Sequence, residues 1–389
     1  MKEIRLNIIR NVSVAALCAL AFNTAYADTD WVILPGTSES GRILLHGIRD
    51  NSKPVSTDIR FEKQGRFKSL RIGNTKTKFN TAGINSCGVA VLAAGGDPHR
   101  DRMPKVTKIS YTSSNAINII LRNCDTAEKA VANLRDGFKK RLITSGTIYL
   151  IADPQRAFAV ECSPGHFASY EIKGPYCVYS HMWKQPEMQA ISRRSARSYG
   201  WSTQREWAAR EMLQRGRQSG NTISVAESIT ASRAGLTETN TKENEKARDK
   251  SPVNNTIANK YNADAFLFEI DREFPGVLSC VYVAFGPARH TVYLPIAIGA
   301  AEALPAELTP NPWKTGALAR LKAAKPGELP DPEILTFEKQ LHAEFAKTRE
   351  EARKLLQDKN VAEAKKLLQE ALQHQAADLN AFLNGLKKN

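Results

Sequence analysis

The chain contains no G-x-x-x-x-G-K-[ST], no H-E-x-x-H and no G-x-S-x-G among its 389 residues. These absences remove a P-loop, a zincin helix and the nucleophile elbow of an α/β-hydrolase from consideration. Its seven histidines (His46, His99, His166, His181, His290, His342 and His374) show no metal-ligand spacing. No metal and no other cofactor is therefore expected. Cysteine is scarce, at six, and no two cysteines stand in C-x-x-C spacing, which removes a zinc ribbon and a thioredoxin-type site. Aromatics make up only 7% of residues, and the basic residues are dispersed without aromatic interleaving, so no nucleic-acid partner is expected. The apolar run from Val12 to Phe22 falls short of the ~20 residues that span a bilayer, so no stable membrane insertion is expected either.

What is present describes a globular protein, with 42% hydrophobic and 24% charged residues. A net charge of +15 permits anionic partners without selecting one. The first 27 residues read as a secretory signal peptide. Lys2, Arg5 and Arg10 form a positive start, the short apolar run follows, and Ala25-Tyr26-Ala27 has small-x-small cleavage form. The predicted mature chain begins at Asp28 and is periplasmic or secreted. Leu17 before Cys18 argues against a lipoprotein signal. Five cysteines remain after cleavage (Cys87, Cys124, Cys162, Cys177 and Cys280), and an odd number leaves a free thiol unless chains pair. Most read as small buried residues, with Cys162 and Cys177, which flank a strand turn, the best-placed pair.

Short β-branched or apolar runs dominate the first half: TDWVIL, RILLHGI, CGVAVLAA, GTIYLIA, RAFAVEC, FASYEI and YCVYS. Asp125-Thr126-Ala127-Glu128 has capping-box form and opens a helix. Residues 188–218 and 224–233 read as helical, the polar stretch 236–262 as an exposed loop, and 264–271, 277–285 and RHTVYLPI as returning strands. Strands, then helices, then strands again point to antiparallel sheets with helices outside rather than a doubly wound sheet. A Pro-punctuated linker, 305–331, precedes two amphipathic segments in 332–389. Leu341, Phe345, Ala352, Leu355 and Leu356 form one stripe. Val361, Ala364, Leu367, Leu368, Ala371, Leu372, Leu379 and Leu383 form the other, around an Asp358-Lys359-Asn360 turn. This predicts a helical hairpin that packs on the core, with homo-oligomerisation through these helices as the alternative.

The stretch DTDWVILPGTSESGRILLHGIRDNS at 28–52 resembles the mature start of N-terminal-nucleophile (Ntn) hydrolases. The likeness is to the dipeptidase and acyl-CoA:6-aminopenicillanic acid acyltransferase-like group, relatives of penicillin V acylase and bile-salt hydrolase. Thr29, Gly41 and Asp50 stand at matching distances from position 28, and Arg49-Asp50 matches an Arg-Asp ending. Gly83-Ile84-Asn85-Ser86-Cys87-Gly88-Val89-Ala90-Val91 is similar to the family's G-x-N-E-x-G segment, with Ser86 in place of Glu. GTIYLIADPQRAFAVECSP and FEIDREFPGVLSCVYVAFGPARHTVYLPI resemble its later strand pairs, so the likeness spans roughly 28–300.

The resemblance implies an α+β fold: an αββα four-layer sandwich over 28–304, here followed by the C-terminal helical hairpin. It also implies a chemistry in which the α-amine of residue one, titrating near ~8, activates that residue's own side chain. Backbone N–H groups and a side-chain amide then stabilise the oxyanion. The decisive position departs from the pattern, because Asp28 stands where the family has Cys. Three readings follow: Thr29 serves after trimming of one further residue, Asp28 acts as a base on water, or the pocket binds without turnover. Ser180 and His181 occupy the place of the oxyanion Asn, and Ile48 a place where acyltransferase-like relatives often have Asn. The candidate catalytic set is thus Asp28, Thr29, Asp50, Asn85 and Ser180. Arg49, His181, Arg194 and Arg197 are candidates for gripping substrate. The functional expectation is an exported hydrolase or acyltransferase acting on a linear amide, either a dipeptide or an N-acyl amine. The alternative is a silent relative that binds an amide-containing or acidic small ligand.

Overall fold

The computed structural model describes residues 28–50, 57–74, 77, 79–97, 112–140, 146–192, 196–234, 257–258, 262–300, 304–308 and 330–386. The predicted signal peptide, most of the 236–262 loop and most of the 305–331 linker lie outside the described residues.

Among the described residues thirteen strands follow in chain order. They are β1 (Thr29–Ile33), β2 (Ile43–Asp50), β3 (Thr57–Glu62), β4 (Ser69–Asn74), β5 (Asn80–Asn85), β6 (Ala90–Gly95), β7 (Thr147–Ala152), β8 (Ala157–Ser163), β9 (His166–Glu171), β10 (Tyr176–Tyr179), β11 (Asn262–Ile270), β12 (Cys280–Phe285) and β13 (Tyr293–Ala297). The helices are α1 (Ser113–Asn123), α2 (Ala127–Lys139), α3 (Pro186–Gln189), α4 (Ala196–Gly220), α5 (Val225–Ser232), α6 (Pro275–Leu278), α7 (Pro332–Gln357) and α8 (Val361–Gly385). One sheet runs β10-β1-β2-β11-β12-β13 and the other β3-β4-β5-β6-β7-β8-β9. Every strand pairing in both is antiparallel.

Alternation along the strands explains the layers. In β6, Ala90, Leu92 and Ala94 join the large core, while Val91 and Ala93 turn to a second core with Ile117, Ile120 and Leu121 of α1 and Leu134 of α2. In β7, Ile148 and Leu150 face the large core, and Tyr149 and Ile151 the second. A sheet apolar on both faces must be covered on both. Helices α1 and α2 cover one outer face. On the other, Trp31 of β1 donates its indole N–H to Ser228 of α5 at 2.9 Å, and α7 and α8 pack over β13. The α+β sandwich with a C-terminal helical hairpin is therefore present.

The hairpin turns most of its two stripes onto the sheet, while Leu355, Leu367 and Ala371 are half-buried and Val361 is exposed. On α7 the inward positions are Ile334, Glu338, Leu341, Phe345, Arg349, Ala352 and Leu356, so two charged residues interrupt an otherwise apolar face. Each meets a buried partner: Glu338 is gripped through both oxygens by Arg233, at 2.8 and 2.6 Å, and Arg349 pairs with Glu269 of β11. Phe337 and Phe382 stack at 4.2 Å between the two helices.

Four local expectations are corrected. CGVAVLAA begins as a turn, with the strand starting at Ala90, because Gly88 adopts a φ of +81° and closes onto the Asn85 carbonyl at 2.9 Å. The helix at 127 is capped by Thr126, whose hydroxyl accepts from the Lys129 N–H at 3.2 Å. Asp125 instead pairs with the Lys129 ammonium, so the capping box does not form. The RHTVYLPI stretch opens with a 3₁₀ turn at Ala288–His290, and its strand starts at Tyr293. Cys162 and Cys177 are not joined, and the five described cysteines are all free thiols. Cys162 lies against the Thr147 carbonyl, while Cys177 contacts the Tyr170 hydroxyl at 3.7 Å.

Candidate functional site

The candidate site lies at the head of β1, where the ends of the two sheets meet. Residues two apart on a strand share a face, so Asp28 and Asp30 point the same way, and Thr29 and Trp31 the other. Trp31 turns outward to α5. The Asp30 side faces the second sheet: it lies beside Gly47, and Arg49 of the same region reaches across to the Thr81 carbonyl of β5 at 2.9 Å and to the Ala93 carbonyl of β6. Alternation thus carries Thr29 away from the Asp28 carboxylate, although the two are sequence neighbours.

Asp28 is only 9% exposed and its carboxylate is held from three directions. The Asp50 backbone N–H donates to Oδ1 at 2.9 Å, the Arg49 guanidinium donates to Oδ2 at 3.3 Å, and the His181 ring stands 3.8 Å from Oδ2. Burial works to raise the Asp28 pKa, but His181, Arg49 and the Asp50 N–H outweigh it and hold the carboxyl below its usual range. Asp30 behaves oppositely. It is 1% exposed, and neither oxygen makes a hydrogen bond of ordinary geometry among the described residues, although the Ile48 backbone N–H helps its ionised form. Burial, and then the negative charge of Asp28, push its carboxyl well above the usual range against the pull of Arg49.

Asp50 closes β2, with its carboxylate paired to Arg205 of α4 at 2.8 Å and accepting from the Asn262 amide at the start of β11. His181 adopts a φ of +61°, and two neighbouring contacts fix its segment. The buried Glu161 carboxylate accepts from the Tyr179 hydroxyl at 2.6 Å and from the backbone N–H groups of Lys184 and Gln185 at 2.8 and 3.2 Å. Asp97 accepts the Trp183 N–H at 3.1 Å. Glycines 95 and 96 make room: a Cβ on Gly95 would stand 2.7 Å from the His181 ring, and one on Gly96 2.0 Å from Trp183.

Of the sequence candidates, Asp28, Arg49, Asp50 and His181 converge. Thr29 is adjacent but faces away. Ser180 is fully buried beside His181, and its hydroxyl has no hydrogen-bond partner among the described residues. Asn85 lies at the other end of β5 from Thr81 and is committed locally. Its amide donates to the Leu121 and Cys124 carbonyls at 3.2 and 2.8 Å, and its oxygen accepts the Cys87 and Val89 N–H groups at 3.0 Å each. Arg194 lies outside the described residues, and Arg197 sits in the first turns of α4, where only the backbone is described. Arg205 of α4 reaches Asp50, and sequence reasoning missed it because the 193–217 stretch is crowded with arginines. Asp30 was also missed, though its spacing of two from Asp28 was a usable signal. Among the described residues no group of three His, Cys, Asp or Glu is placed to hold a metal ion.

No protein-family model matches the chain, and no curated protein matches it either. Among solved structures, it is similar to a mutant conjugated bile acid hydrolase from Clostridium perfringens, with 9% identity, 66% of this chain and 89% of that one covered, and a TM-score of 0.43. It is similar to an N-acylethanolamine-hydrolyzing acid amidase ortholog from Caenorhabditis elegans, with 12% identity, coverages of 64% and 93%, and a TM-score of 0.40. It is similar also to penicillin V acylase from Agrobacterium tumefaciens, with 13% identity, coverages of 69% and 86%, and a TM-score of 0.37.

Proposed function

We propose that this protein is an exported hydrolase or acyltransferase that acts on a linear amide bond, in a dipeptide or an N-acyl amine, at an Ntn-type site of altered nucleophile. The observation that carries the reading is the meeting of Asp28, Arg49 and His181 at the head of β1, at 3.3 and 3.8 Å from one carboxylate oxygen. Position 28 is also where the signal-peptide reading ends, so cleavage after Ala27 frees an α-amine at that same point. An amine titrating near ~8 is a competent base for amide chemistry at neutral pH. Arg49 supplies fixed positive charge beside position 28 for a substrate carboxylate or a developing oxyanion. No cofactor enters the scheme.

The test is direct. Mature protein, confirmed by intact mass to begin at Asp28, is incubated with a panel of dipeptides and N-acyl amino acids, and released amine is measured. Release supports the reading, and its absence across the panel contradicts it. A second reading is favoured by one observation: Thr29 faces away and position 28 offers neither thiol nor hydroxyl. On that reading the pocket binds an amide-containing or acidic small molecule without turnover, and panel compounds raise the melting temperature while releasing no amine.

A further inference from the structure

Two aspartates on one strand face, 9% and 1% exposed, are costly to bury unless their carboxyl groups are paired or used by the site. Asp28 is anchored by the Asp50 N–H and by Arg49, so its orientation is fixed. Asp30 stands two residues on, opposite Gly47 in the β1–β2 register. The glycine matters. A Cβ there would come within 3.1 Å of the Asp30 Oδ1 and 2.6 Å of the Phe266 ring, so a side chain at 47 would crowd Asp30. Neither Asp30 oxygen makes a hydrogen bond of ordinary geometry among the described residues, and the Arg49 guanidinium that meets Asp28 also acts on Asp30 through its charge. A carboxyl group this deeply buried, with no support beyond the Ile48 N–H and the Arg49 charge, is not held by a structural bond that would explain its cost.

We propose that Asp28 and Asp30 are the base and acid of a hydrolase that uses water as its nucleophile. This rests on the amide-bond reading above and narrows it to hydrolysis. The Asp28 carboxylate takes a proton from water as the water oxygen bonds to the amide carbon. The Asp30 carboxyl gives its proton to the carbonyl oxygen, leaving a neutral gem-diol. The Asp28 carboxyl then protonates the nitrogen as the C–N bond breaks. Asp30 recovers a proton from one hydroxyl, and carboxylic acid and amine leave with both aspartates in their starting states. Two environments that push like groups apart are what such a division of labour requires. Burial and the Asp28 charge favour the protonated form of Asp30, while Arg49 and His181 favour the ionised form of Asp28. The other charged groups around the pair are Asp50 of β2, Asp264 of β11 and Arg205 of α4, which is spent on Asp50.

The experiment uses the mature wild-type protein with the amide that the panel identifies. Water attack leaves no acyl-enzyme, so added hydroxylamine yields no hydroxamate, and the infrared spectrum at neutral pH shows the carbonyl band of a protonated carboxyl group. Neither measurement needs a variant. Asp30→Asn, which keeps the volume, should remove that band and lower kcat by ~100-fold or more with KM little changed. It should also abolish the alkaline limb of the pH–rate profile, and Asp28→Asn the acid limb. Hydroxamate formation by the wild type, or full activity in Asp30→Asn, overturns the pair while leaving the amide-hydrolase reading intact. Absence of amine release by the wild type overturns both.

Discussion

Arg49 stands 3.3 Å from the Asp28 carboxylate and, with the same guanidinium, donates to the Thr81 carbonyl at 2.9 Å on the facing sheet. One planar fork therefore anchors the site residue and ties the two sheets together at the site. Lysine presents a single point of charge and cannot satisfy both sheets at once. Arg49→Met should be worse, because it leaves the buried Asp28 carboxylate with only the Asp50 N–H and the His181 ring, a loss of up to ~3–5 kcal/mol by the behaviour of other buried pairs. Denaturant unfolding of Arg49→Met against wild type measures this, and an unchanged midpoint would show that the pair holds nothing.

Asn85 is a structural residue in this arrangement. Truncation to Ala orphans two carbonyls at the end of α1 and two N–H groups of the Cys87–Val89 turn. Asn85→Ala should cost at least ~1–3 kcal/mol, the penalty of one buried group left unsatisfied. The same unfolding experiment measures it.

The hairpin should come under strain in acid. Burial opposes ionisation of Glu269, yet Arg349 and Arg42 prevail and bring its pKa from 4.5 down to about 2. A carboxyl depressed on folding contributes stability that is complete above its unfolded pKa and is lost as pH falls through the folded value. The melting temperature should therefore drop between about pH 4.5 and about pH 2. Glu269→Gln should be less stable at neutral pH and flatter across that window. Identical pH dependence in the two proteins would contradict the pairing.

Thiol chemistry tests the free cysteines. Burial raises the pKa of Cys162, Cys177 and Cys280, and holds even half-buried Cys87 above the usual thiol range. In the native mature protein a disulfide-exchange reagent should react slowly and first at Cys87, and in denaturant five thiols should appear. Fewer than five without reductant would show a disulfide.

The sandwich was legible because its strands are short, branched and separated by strong turn residues, and because no β-α alternation intervened. The hairpin was legible from its leucine stripes. Glu338 and Arg349 were not, because a charged residue inside a stripe looks like an exposed position until its partner, Arg233 or Glu269, is brought in from over 70 residues away. At the site, Asp28, Arg49, Asp50 and His181 were found through a resemblance, and folding places them together. Arg205 and Asn262 meet Asp50 only through tertiary contact. The tie of Cys162 and Cys177 failed for a related reason: a turn between two strands does not fix which sheet each strand joins, and β8 and β10 join different ones.

The most direct measurement compares mature wild type with Asp28→Asn for amine release from the panel of linear amides, at matched folding by circular dichroism. Asparagine keeps the size of the side chain and removes its charge and proton affinity. The account predicts release by the wild type and a loss of ~100-fold or more in the variant. No release by the wild type, or equal release by the two, would contradict a catalytic centre at position 28.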